Sequence, residues 1–143
     1  MPGLFDPRQD WPVPYVRASL WLPDIQPKWV SVDFLLDTGA GTTSLHPLDS
    51  VVRVGISPAN LIDPGKWERA QNHGGVGGAA VYFVVPAFYA FLQDDSEWHE
   101  ISGEIRIAQL TLGNAKLPSL LGWDILQNFR LVADWPNRRI SLH

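Results

Sequence analysis

The stretch WVSVDFLLDTGA, residues 29–40, decides how this chain is read. Trp29 to Leu36 reads as a β-strand, and Phe34-Leu35-Leu36 carries it into a core. Asp37 follows directly. A carboxylate at the end of a buried strand is costly unless it has partners. Thr38 and Gly39 come next, and a glycine there permits a tight turn and close approach of other backbone. The tripeptide therefore presents one carboxylate from a rigid element. Taken alone, it reads equally well as an Asp capping a turn.

Working outward, short strands dominate. Residues 1–14, with Pro2, Pro7, Pro12 and Pro14, read as an extended arm ahead of a domain over 15–143. Tyr15 to Leu22 is a strand, and Pro23 and Pro27 bracket the turn after it. His46-Pro47-Leu48-Asp49 opens a short helix to about Val54. Asp63 to Lys66 is a turn. A strand from Trp67, the glycine cluster HGGVGG (73–78) and a β-rich run to Leu92 follow. Gln93 to Glu97 is a polar loop, and Ser102 to Leu110 alternates as a half-buried strand. Gly122 to Asn128 is a short helix, and Phe129 to Leu142 closes as a hairpin around Pro136-Asn137. Twelve Pro and twelve Gly leave little room for long helices. The pattern predicts a mainly β fold, a closed or sandwich-like barrel.

Composition narrows the function. The 143 residues make one domain, 45% hydrophobic and 18% charged, with net charge -4. Lys and Arg are scattered, so no nucleic-acid footprint is present. With no cysteine, disulfides, thiolate metal sites and thiol nucleophiles are absent together. No run reaches the roughly 18 apolar residues of a membrane span, and the first 14 residues hold no signal-peptide core. A soluble, cytoplasmic protein is expected.

Two further features join Asp37. Leu120-Leu121-Gly122 repeats an apolar pair ending in glycine, and the tip Gly74-Gly75-Val76-Gly77-Gly78 lies between β-like runs. The ordered set FLLDTGA (34–40), GGVGG (74–78) and SLLGWDIL (119–126) resembles the retropepsin-like aspartic proteases over roughly residues 15–142. It looks closer to cellular and bacterial members than to retroviral ones. Retroviral members usually carry Arg after the second glycine and Asp two residues after the D-T-G glycine. Here Trp123 and Gly41 occupy those places, so both halves of that ion pair are missing together. The resemblance implies a closed acid-protease barrel with one short C-terminal helix and no cofactor or metal. It implies that Asp37, Thr38 and Gly39 are catalytic, with the Thr38 hydroxyl reaching across to a second chain. Ala40 and the 74–78 flap would contact a peptide or protein substrate. Leu120, Leu121, Gly122 and Asp124 would form the supporting motif, Asp124 as a helix brace.

The chemistry needs two facing carboxylates with a water between them. No other aspartate in the chain stands in a D-T-G or D-S-G context. A two-lobed monomer is thereby excluded, and a homodimer with one Asp37 per protomer is expected. The alternative is a catalytically silent domain of the same fold that binds peptides or dimerises. Ala40 cannot donate a hydrogen bond to the carboxylate as Ser or Thr would. Activity reaching toward about pH 5–6 is expected from that missing donor.

Other residue types carry less. His46, His73, His99 and His143 lack metal-ligand spacing and read as surface or turn histidines, with His73 beside the flap. Ser44 near His46 is not a nucleophile-base pair by spacing alone. GGVGG lacks the lysine of a phosphate loop. Asp94 to Glu97 is a solvated loop rather than a calcium frame. The seven Trp read as core and interface anchors, and Trp123 as filling the place of the usual Arg.

Overall fold

The computed structural model describes residues 4–5, 13–75 and 78–143. The chain is mainly β. Its strands are β1 (Leu4–Phe5), β2 (Pro14–Trp21), β3 (Val30–Leu36), β4 (Ser44–Leu45), β5 (Ala70–Gly75), β6 (Gly78–Leu92), β7 (Trp98–Ala108), β8 (Leu120–Leu121), β9 (Leu131–Asp134) and β10 (Arg139–Leu142). Eight of them form one mixed sheet in the order β1-β2-β3-β8-β4-β7-β6-β5. An additional pairing of Ser19–Trp21 with Phe88–Ala90 joins β2 to β6 and turns the sheet into a ring. β9 and β10 make a separate hairpin.

Period-two alternation builds the interior. Val16, Ala18 and Leu20 on β2, Val32 and Phe34 on β3, and Phe83, Val85, Ala87, Tyr89 and Phe91 on β6 point inward and are buried. Ile105 and Ile107 on β7 complete the wall, and Ile140 and Leu142 of β10 reach the same cluster. Each large side chain so buried contributes about 1.5–3 kcal/mol. Tyr89 is buried with its hydroxyl donating to the Glu104 carbonyl at 2.8 Å, which satisfies its one polar atom.

Pro86 does not break β6. It falls between the segment paired with β5, ending at Phe83, and the segment paired with β2, starting at Phe88. On that edge no partner requires the N–H it lacks.

Among the described residues there are three short α-helices: α1 (Pro47–Val52), α2 (Pro58–Ile62) and α3 (Trp123–Leu126). α3 is the short C-terminal helix expected from Gly122 to Asn128, shorter than read. α1 is the helix expected near 46–54. It ends where Gly55 adopts φ +82, a left-handed stop that glycine tolerates. α2 was not foreseen. Its signals are Ser57 at the N-cap, Pro58 in the first turn and the fully buried Leu61. β7 starts four residues earlier than the alternation suggests, because Trp98–Ile101 pair with Tyr89–Leu92. Of the N-terminal arm, Leu4 and Phe5 pair with Tyr15 and Pro14, and residues 1–3 and 6–12 lie outside the described residues. Among the described residues, no helix is long and apolar enough to cross a membrane.

Candidate active site

β3 and β8 run parallel, with Leu35 opposite Leu120 and Leu36 opposite Leu121. Parallel strands release their chains at the same end, so Asp37 and Gly122 emerge side by side from segments 85 residues apart in sequence. The Asp37 amide donates to the Leu121 carbonyl at 3.1 Å. The Leu35 amide donates to the Ser119 carbonyl at 2.8 Å, one step further back.

Past Asp37 the chain turns at once. The Ala40 amide donates to the Asp37 carbonyl at 3.2 Å, and the Gly39 amide donates to Asp37 Oδ1 at 2.8 Å. Asp37 Oδ2 has no hydrogen-bond partner among the described residues. Asp37 is half-buried, and Thr38 and Gly39 are exposed. The Thr38 hydroxyl also has no partner among the described residues. One carboxylate oxygen is thus fixed, and the other is available to a water or a second acid.

The supporting segment interlocks with this loop. The Trp123 amide donates to the Ala40 carbonyl at 2.9 Å, and the Asp124 amide donates to the Gly41 carbonyl at 3.2 Å. Thr43, fully buried, donates from Oγ1 to Asp124 Oδ1 at 2.7 Å and accepts from the Gly122 amide at 3.0 Å. The Thr43 amide reaches Asp124 Oδ2 at 3.0 Å, and the Ile125 amide reaches Asp124 Oδ1 at 2.9 Å. Both Asp124 oxygens are therefore committed, which suits a brace and not an acid-base catalyst. Gly122 is required by space: a Cβ there would lie 2.5 Å from the Thr42 carbonyl carbon and 2.6 Å from its oxygen.

Trp123 follows Gly122 directly. Its indole donates to the Thr38 carbonyl at 2.7 Å, although the ring is 45% exposed. A neutral donor therefore holds the Asp37–Ala40 turn from outside. Gly41 contributes only backbone.

Below the site, the buried His46 and Ser119 form a polar knot with the half-buried Asp49. The Ser119 hydroxyl donates to Asp49 Oδ2 at 2.6 Å and accepts from the His46 amide at 3.0 Å. His46 is 6% exposed, which corrects its reading as a surface or turn histidine. Burial pushes its imidazole below the usual value, against the upward pull of the Pro118 carbonyl and of Asp49. The knot ties α1 to the segment feeding β8.

The structure thus brings Asp37, Thr38, Gly39, Ala40, Leu120, Leu121, Gly122 and Asp124 together. Gly74, Gly75 and Gly78 belong to the β5–β6 hairpin, where Gly75 pairs with Gly78. Val76 and Gly77 lie outside the described residues. Thr43, Ser119 and the indole bond of Trp123 were missed from sequence. A cavity of about 740 Å³ lies elsewhere, against Ile25, Ile56, Trp67 and Pro86, and none of these site residues lines it. Among the described residues no cluster of three or more ligating side chains could hold a metal ion. No protein-family model matches this chain, and no curated protein matches it either.

Proposed function

We propose that this chain is one half of an aspartic endopeptidase, and that two copies related by a two-fold axis assemble one active site. On this reading the ring of strands is a closed barrel of the retropepsin-like kind. The observation that carries the proposal is the interlock of residues 37–43 with 120–124. It holds a single carboxylate rigidly at the surface, with Oδ2 and the Thr38 hydroxyl uncommitted. One protomer supplies half of what acid-catalysed hydrolysis needs.

The chemistry follows from pairing two such carboxylates. Like charges about 3 Å apart cannot both ionise, so the pair shares one proton. The ionised Asp37 takes a proton from a water as its oxygen attacks the scissile carbonyl carbon. The protonated Asp37 gives its proton to the carbonyl oxygen. Collapse of the tetrahedral diol breaks the C–N bond: one diol hydroxyl gives its proton to the second carboxylate as the carbonyl re-forms, and the leaving amine receives a proton from the first carboxyl. The Thr38 hydroxyls tie the two loops across the axis. The β5–β6 hairpin closes over an extended peptide with apolar side chains flanking the bond and excludes water.

The test is cleavage of a mixed peptide library from about pH 3 to 7. Wild type should cut, and Asp37→Asn should not. If neither protein cuts while sedimentation still shows dimers, the silent peptide-binding reading takes its place.

A further inference from the structure

The outer face of the ring carries an aromatic pocket that plays no part in the proposed peptidase site. The register sets Ser19, Ala90 and Glu100 in one row across β2, β6 and β7. Trp98, two residues before Glu100, projects from the same face of β7. On the other side of the row, Trp21 and Phe88 are a cross-strand pair stacked at 5.0 Å, and Trp29 leans on Trp21 at 5.9 Å. A cavity of about 280 Å³ lies between, lined by Ser19, Trp29, Ala90, Trp98 and Glu100. The small side chains of Ser19 and Ala90 make its floor, and the two indoles flank it. Trp29 is 44% and Trp98 56% exposed, so both indoles are accessible from solvent.

Charge selects the occupant. Glu100 is exposed and has no hydrogen-bond or ion-pair partner among the described residues. Arg17 on β2 is already held by Asp33 through two bonds at 2.8 and 3.0 Å. Lys28, exposed and next to Trp29 in the chain, is one positive charge. Against it stand Glu100 and the Asp94, Asp95 and Glu97 of the turn that leads into Trp98. His99 faces away from the pocket and packs on Phe129. An anion would meet repulsion here. A neutral sugar would use the rings and donate hydroxyls to the carboxylate, but would leave its charge unpaired. A cation gains from both, because the negative face of an indole attracts it. The volume lies just under the range of sites for whole small molecules, about 300–1,000 Å³, and suits one side chain.

We infer that this pocket binds a cationic side chain, lysine or arginine, presented by a basic peptide segment. Binding here does not depend on turnover, so the Asp37→Asn protein is the right sample and separates this site from peptide cleavage. The probe is a blocked arginyl-arginine dipeptide, with the blocked glutaminyl-glutamine dipeptide and a neutral disaccharide as comparisons. The readout is the indole N–H resonances, assigned by Trp29→Phe and Trp98→Phe. Saturable shifts of Trp29 and Trp98 by the arginine probe are expected, weakened at roughly 0.5 M salt. Trp98→Ala should weaken binding about tenfold and Glu100→Gln about threefold. No saturable shift, an equal response to either neutral probe, or unchanged affinity in Glu100→Gln would overturn the proposal.

Discussion

Gly122→Ala tests the interlock at its tightest point. An added Cβ would stand 2.5 Å from the carbonyl carbon of Thr42, 2.6 Å from its oxygen and 2.9 Å from its nitrogen. All three are backbone atoms and cannot swing aside. Restoring a normal carbon–carbon contact needs a displacement of roughly 1 Å. Overpacking of this kind costs about 1–3 kcal/mol. The shift also pulls the Gly122 amide off the Thr43 hydroxyl, a 3.0 Å bond contributing about 1 kcal/mol. The total is about 2–4 kcal/mol, or a fall in Tm of roughly 6–15 °C for a chain of this size. The assay is urea unfolding, with Gly113→Ala as control, since a Cβ at Gly113 meets nothing within 4 Å. The control should stay within about 0.5 kcal/mol of wild type. If Gly122→Ala matched that control, the two loops would not be pressed together as described.

Three other outcomes are expected. Thr43→Val keeps the shape but leaves the Gly122 amide without its acceptor and takes one of two donors from Asp124 Oδ1, so it should destabilise by about 2–4 kcal/mol, with Thr43→Ser restoring most of the loss in urea unfolding. Trp123→Phe removes the indole bond to the exposed Thr38 carbonyl; stability should fall by about 1 kcal/mol or less while kcat drops about tenfold, and an unchanged kcat would show the turn needs no such support. His46 is held neutral by burial, so its contribution is complete above the ordinary imidazole value of about 6.5 and shrinks as pH falls through its lowered folded value. The stability gap between wild type and His46→Gln should narrow between about pH 7.5 and 5, and parallel curves would contradict the assignment.

Much of the fold is legible where alternation is long. β2 and β3 follow from the apolar positions of 15–22 and 29–36, because one face of each meets the core. The short strands are different. Ser44–Leu45 and Leu120–Leu121 are two residues each, too short to carry a period, and exist because β3, β7 and each other supply partners. The site divides the same way. Asp37 and Gly122 stand out through their neighbours in the chain. Thr43 has no such mark: its role depends on Asp124, 81 residues away. His46 gave no hint of burial, since only tertiary packing of α1 against Ser119 covers it. The expectation of core anchors holds for Trp67, which packs against the core, and not for Trp29, Trp98, Trp123 and Trp135, which are exposed. The core itself is built from Val, Leu, Ile, Phe and Tyr, and Trp67 joins it from the side by stacking on Phe83 at 4.6 Å.

The most direct test of the central claim is a mixing series of wild-type and Asp37→Asn protein at constant total concentration, after subunit exchange, with peptide cleavage as the readout. If each active site needs one Asp37 from each of two chains, activity follows the square of the wild-type fraction, and an equal mixture retains about one quarter of full activity. Activity proportional to the wild-type fraction would mean that one chain carries a complete site, and would contradict the account.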